Sequence, residues 1–304
     1  MKFKVVFAAF NVIILLSFLF VFLLPFFFLG WQYTQVFWAE NWYLAAVFLV
    51  IIVVLNLYFA RNWKLFGLLE AENWHGLVEH LEGEVFERKR IRAQHVRLLV
   101  NAYVVVSQPA KIGQLEEFLR SERPKLIREF GVELGIPHLL SNDAQVITAY
   151  FGKLADDPKA KNRAWLRWGY AFGLMLKQEY DEAKHSLLEL LGDSGDTVLQ
   201  VLTAYMLDSY HPRDEEVARR VQEALNRLRN SLNARRWQKQ LERSRANLMV
   251  LVMGKLLQDA SAWAFPDWYP SGSPAAGNAT SAGGAGSTVG SGLSATGETS
   301  KSPE

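Results

Sequence analysis

Cysteine is absent from all 304 residues. Disulfide frameworks, cysteine-ligated zinc, lipid attachment at a cysteine and thiol catalysis are therefore excluded. An excess of charge of one sign is also lacking: 33 Lys and Arg stand against 31 Asp and Glu, a net charge of +2. No overall field draws the chain to nucleic acid, so any basic surface has to be local. There is no phosphate-binding loop, no dinucleotide fingerprint and no catalytic pairing of carboxylates. Apolar residues make up 50% of the chain, and much of that content is gathered between residues 5 and 60.

Val5 to Leu29 is an uncharged run of 25 residues, about 37 Å long as a helix. This exceeds a hydrocarbon core of roughly 30 Å, so tilt or a bend at Pro25 is expected. Trp42 to Ala60 adds 19 residues, the length of one upright crossing. A cleaved signal peptide is disfavoured, because the first run is too long, ends in PFFFLGW without a small-x-small site, and is followed at once by a second apolar run. Lys2 and Lys4 precede the first run, Arg61 and Lys64 follow the second, and the connecting GWQYTQVFWAEN has neither Lys nor Arg. The positive-inside rule then places both ends in the cytoplasm. Asn11 and Asn56 are the strongly polar side chains deep in the runs, expected to hydrogen-bond across the hairpin or to another subunit.

From Arg61 to about Phe265 apolar residues recur at three- and four-residue spacing between short polar breaks, a helical pattern. The triplet Tyr180, Ala183, Leu187 repeats in spacing at Val146, Ala149, Lys153, at Ile112, Leu115, Leu119, at Trp74, Leu77, Leu81 and at Asp214, Val217, Val221. Steps of 34 residues, with one of 38, separate the five. A two-helix unit of this length cannot bury its apolar face alone and stacks on its neighbours.

The stretch 164–191, AWLRWGYAFGLMLKQEYDEAKHSLLELL, resembles the tetratricopeptide family, with Ala171 at the small position of the first helix. Tyr180 opens the second helix, Ala183 takes its small position, and Leu187 and Leu190 follow in register. The resemblance implies stacked helical hairpins. Departures are Leu65, Tyr103, Pro137 and Tyr205 at the small first-helix position, Lys153 in the third unit, and Gly195 where a closing proline is usual. "TPR-like" is the fitting label.

If that unit follows the family's geometry, Trp165, Trp168, Phe172 and Met175, with Met206 from the next unit, form an apolar inner wall suited to an amphipathic helix or extended segment of a partner protein. The lysine and asparagine clamp for peptide carboxylates is not evident. One internal occupant is available: residues 246–265, ANLMVLVMGKLLQDASAWAF, can fold back as a capping helix. Lys255 and Asp259 argue against a third span there. The alternative is that the aromatics are core between hairpins.

GDSGD at 192–196 resembles the GDSGG nucleophile loop of chymotrypsin-like proteases, but that fold is all-β and Ser194 sits between two helical runs. A turn is expected instead. His75 and His80 flank Glu79 at a spacing of five, which turns the rings about 140° apart on a helix and rules out a shared metal ion. The remaining histidines, His95, His138, His185 and His211, are scattered singly. ERKRIR at 87–92, and residues 213–245 with ten basic against five acidic side chains, fit either anionic headgroups or a solvated face of ion pairs. The interleaved acids favour the second. Gly, Ser, Ala and Thr supply 25 of residues 271–300, the composition of a flexible tail, and the sequon at Asn278 would not meet the glycosylation enzyme in the cytoplasm.

The expectation is an all-α chain in three parts: a transmembrane hairpin at 1–60, a TPR-like α-solenoid with a C-terminal cap at 61–266, and a disordered tail at 267–304. The layout also resembles HemY-type membrane proteins of bacteria. The expected role is a cytoplasm-facing scaffold at the inner membrane that binds proteins and touches the bilayer. Catalytic residues, metal, cofactor, nucleic acid and small-molecule substrate are not expected. The rival expectation is a docking subunit of a transport, secretion or envelope-assembly complex.

Overall fold

A computed structural model describes residues 3–210, 214–244 and 247–269. His211 and the sequence beyond Tyr269, including Asn278 and most of the expected tail, lie outside the described residues. Among the described residues the secondary structure is entirely helical, without strands. The chain divides into two compact units, one ending at Lys111 and one beginning at Ile112. That division falls well past residue 60, because α2 packs on α1 and the next helices pack in turn on α2 and α3.

In the N-terminal unit, α1 (Phe3–Arg61) is broken at Gly30 (φ 78°) and at Asn41 (φ −115°, ψ 21°). These breaks coincide with the ends of the two apolar runs. At Gly30 the positive φ is one that glycine adopts freely. The arms on either side are long and apolar enough to cross a membrane, and neither is buried within the protein. They pair antiparallel: Phe7 meets Phe59 at 5.1 Å, Phe18 stacks on Phe48 at 5.1 Å, and Asn56 Nδ2 donates to Asn11 Oδ1 at 2.8 Å. The connecting piece is itself helical, and Trp38 folds back to stack on Phe22 at 4.5 Å and donate to its carbonyl at 3.2 Å. Beyond it come α2 (Trp63–Glu70), α3 (Trp74–Glu82), a π-helical turn (Gly83–Glu87) and α4 (Ala93–Val105). Lys111 Nζ and the Tyr103 hydroxyl both reach Glu82 Oε1, at 2.8 and 2.9 Å.

The C-terminal unit takes in most of α5 (Ala110–Glu122) and the short α6 (Pro124–Glu129), α7 (Gly131–Leu134) and α8 (Ile136–Leu140). Prolines open α6 and α8, where the missing N–H has no helical partner to lose. The long helices α9 (Ala144–Ala155), α10 (Arg163–Leu176), α11 (Tyr180–Asp193), α12 (Thr197–Tyr210) and α13 (Glu215–Ser231) follow, each packed on the next. In addition α10 touches α12 and α11 touches α13, so alternate helices lie side by side in two rows. α14 (Ala234–Ser244), α15 (Leu248–Val252), α16 (Gly254–Ala264) and a 3₁₀ turn at Pro266–Trp268 complete the unit.

One backbone device recurs. Glu72, Ser107, Asn142 and Gln178 adopt left-handed φ of 50°, 56°, 54° and 65° at intervals of 35, 35 and 36 residues, a conformation uncommon for residues other than glycine. Each lies two or three residues before α3, α5, α9 or α11. At three of them the next N–H reaches back five residues, from Asn73 to Leu68, Gln108 to Tyr103 and Glu179 to Leu174, the closure of a Schellman turn. Apolar triplets follow with the expected burial: Leu77, Leu81, Ile112, Leu115, Leu119, Ala183, Leu187, Val217 and Val221 are all at most 1% exposed.

The third unit departs. Val146, Ala149 and Lys153 are exposed, and α9 instead buries Ile147, Tyr150, Phe151 and Leu154. The buried face is thus rotated by one residue. Packing against α10 selects this register, since Gly169 and Gly173 leave space filled by Phe151 and Ile147; a Cβ on Gly169 would lie 2.6 Å from the Phe151 ring.

Candidate functional site

The expected inner wall does not stand open. Trp165, Trp168, Met175 and Met206 are at most 4% exposed and Phe172 is half-buried. Trp168 stacks on Phe172 at 5.7 Å. The wall helix α10 is packed on α9, α11 and α12, while in the C-terminal segment α15 packs on α7 and α8 and α16 lies along α12. Leu248, Met249, Val250, Leu257 and Ala260 are buried with it. The fold-back expected for 246–265 is therefore made by two short helices that break at Met253, neither long enough to cross a bilayer. Ala246 lies outside the described residues. Trp263 packs edge-on against Tyr205 at 5.7 Å, and the Arg229 guanidinium donates twice to the Ala264 carbonyl.

Among the repeat-packing residues Ala171, Ala183, Leu187 and Leu190 are buried, while Tyr180 is 40% exposed beside Tyr210. Ser194 ends α11, and its Oγ accepts from the Asp196 N–H. Asp196 in turn caps α12 and accepts the Trp165 indole at 2.9 Å. GDSGD is thus a helix-to-helix turn. Among the described residues no group of three metal-ligating side chains forms. The ion pairs expected on 213–245 are present on α13, where Arg219 and Arg220 bind Glu216 and Arg219 also binds Glu223.

An open site lies elsewhere. A cavity of about 510 Å³ is held by α5, α6, α8 and α9. Its apolar surface comes from Ile127, Val146, Ala149 and Leu154, and its rim carries Arg120, Arg128, His138 and Lys153. The displaced triplet of α9 thus faces this cavity instead of the core. Asp157 pairs with Arg128 at 2.6 Å and Glu116 pairs with Arg120, whereas Lys153 has no carboxylate partner among the described residues.

Below the rim Glu116 is 5% exposed, and its Oε2 lies 2.7 Å from His138 Nε2. Burial pushes the Glu116 carboxyl up, but hydrogen bonds from His138 and Arg120 outweigh it and hold the group below the usual glutamate range. The His138 ring lies over Tyr150 at 4.3 Å, and the Tyr150 hydroxyl donates to the Gly131 carbonyl at 2.9 Å. Burial, then the Glu116 charge, pushes that phenol up, so it serves as a neutral donor. The arrangement can seat an apolar side chain and hold a neighbouring carboxylate at Lys153. Sequence reasoning missed it, though Lys153 in place of a core leucine was the signal.

The model of a family described as "Uncharacterised Treponema protein" matches residues 111–266, just over half of the chain. A protein of Treponema pallidum (strain Nichols), described as an uncharacterized protein, is 29% identical over 232 residues, covering 72% of this chain and 74% of its own. No solved structure matches.

Proposed function

We propose that this chain, which belongs to the family described as uncharacterised Treponema proteins, is a membrane-anchored, cytoplasm-facing helical-repeat protein that binds partner proteins. The observation that carries the reading is the cavity rimmed by Lys153, formed because one repeat unit turns its triplet face outward. The left-handed turns at near-constant intervals and the side-by-side rows of alternate helices support a TPR-like array. Two apolar arms that bury nothing within the protein support an anchor, and the lysine and arginine distribution supports cytoplasmic placement. The occupant is a segment that presents an apolar anchor beside an acid, matching the floor and the unpaired cation. The anchor confines the search for partners to the membrane surface and raises their effective concentration.

The rival reading is a docking subunit held to a multi-span partner through Asn11 and Asn56; favouring the first reading, Asn56 Nδ2 donates to Asn11 Oδ1 within the hairpin and both amides also donate to their own helix. A photocrosslinking residue at Ala149 should capture a discrete partner in native membranes, at least 10-fold more than one at exposed Gln222, and Lys153→Glu should abolish the capture. Equal capture at both positions, or indifference to Lys153→Glu, overturns the assignment.

A further inference from the structure

A second polar recess, of about 170 Å³, opens in the N-terminal unit where the second apolar arm ends. Arg61, the last residue of α1, and Lys64 of α2 line it together with Arg88, Arg90 and Arg92 from the stretch after α3. These five cations face one lining carboxylate, Glu84. Glu84 is 8% exposed and pairs with both Arg88 and Arg90, the latter at 3.2 Å. It positions these two guanidiniums and cannot neutralise the remainder. Arg61, Lys64 and Arg92 have no carboxylate partner among the described residues. The ion-pair reading of ERKRIR thus holds for Arg88 and Arg90 and fails for Arg92, because only folding brings Arg92 to Arg61 and Lys64. Burial, then the charge of Lys64, holds the nearby His80 imidazole below its usual range.

An apolar depression of about 630 Å³ meets the same end of α1, lined by Phe7, Val53, Leu57, Ala60 and Trp63 with Asn56. Ala60 and Trp63 are chain neighbours of Arg61 and Lys64. Cations and an apolar depression therefore share one helix end, the combination that an anionic amphiphile satisfies.

We propose that the cationic recess binds the phosphate of an anionic phospholipid whose acyl chain lies in the adjoining depression. The assignment rests on the reading of α1 as a membrane anchor. It goes beyond that reading by naming a lipid class and the residues that select it. Guanidinium and ammonium groups bind phosphate by charge and hydrogen bonds, and a zwitterionic headgroup brings a positive charge that the recess repels.

The test uses the full chain in detergent, titrated with dihexanoyl phosphatidylglycerol, the matching phosphatidylcholine and inorganic phosphate, by native mass spectrometry. The expected result is at least about 10-fold tighter binding of the glycerol lipid than of either other probe, lost in Arg61→Gln/Lys64→Gln/Arg92→Gln. These three side chains are exposed and have no carboxylate partner among the described residues, so the variant should keep its helical circular dichroism. Equal binding of the two lipids, or full binding by the folded triple variant, overturns the proposal. Inorganic phosphate binding as tightly as the glycerol lipid overturns the lipid assignment in favour of a plain anion site. Carbonate extraction reads the anchor separately: release of the chain from membranes contradicts the anchor, whereas loss of lipid selectivity in a carbonate-resistant chain contradicts the recess alone.

Discussion

At the scale of single residues, burial and pairing decide which side chains carry the structure. Thr203 is fully buried and its hydroxyl has no hydrogen-bond partner among the described residues. An unpaired buried hydroxyl costs about 1–3 kcal/mol, so Thr203→Val should raise the melting temperature by a few degrees; a fall would mean that the hydroxyl has a partner. Gly169 acts in the opposite sense. A larger side chain collides with Phe151, and Gly169→Val should cost about 2–3 kcal/mol in denaturant unfolding. Glu116 gives a pH signature. Its folded value lies below the ordinary one, so its contribution is complete above the unfolded glutamate range and is lost as pH falls through the lower folded value. Glu116→Gln should therefore destabilise at neutral pH and cost progressively less under acid conditions, in melts taken across that range.

Between elements, the joint of α12 with α16 holds the C-terminal segment against the helices before it. Burial pushes the carboxyls of Asp208 and Asp259 up, with Trp263 partly offsetting the first and Lys255 the second. A raised carboxyl contributes stability below its unfolded value and loses it as pH rises through the folded one. The joint is consequently tighter in acid, and Asp208→Asn should raise the melting temperature at neutral pH while changing little at pH 3. A stabilisation that is the same at both values would contradict charge burial as the cause. The sequence could not show this joint, since it unites residues far apart in the chain, such as Tyr205 with Trp263. What it did show was local: apolar runs ending at Leu29 and beginning at Trp42, beside the breaks that fall at Gly30 and Asn41 and not at the expected Pro25, and a helix opening at Tyr180. The buried face of α9 escaped it by one position, because the repeat spacing pointed to Val146, Ala149 and Lys153 although Ile147, Tyr150, Phe151 and Leu154 are the more apolar set, and it is these that α10 covers, with Gly169 and Gly173 making room for Phe151 and Ile147.

Over the whole molecule, helical class and the paired apolar arms could be read from periodicity and run length alone. Both recesses proposed as binding sites required tertiary structure. Lys153 looked like a fault in a repeat until α5 and α6 supplied the rest of a cavity around it. Arg61 was read as a charge flanking the second run and Arg92 as part of a run fitting headgroups or ion pairs, and only folding brings both to one recess. The account ties these sites to one side of a membrane, and absence of cysteine makes that directly measurable. Val36→Cys, in the piece connecting the two arms, and Gln222→Cys, on exposed α13, each create a single thiol. In right-side-out spheroplasts an impermeant maleimide should label Val36→Cys and spare Gln222→Cys until the membrane is permeabilised. Labelling of Gln222→Cys in sealed spheroplasts would contradict the account.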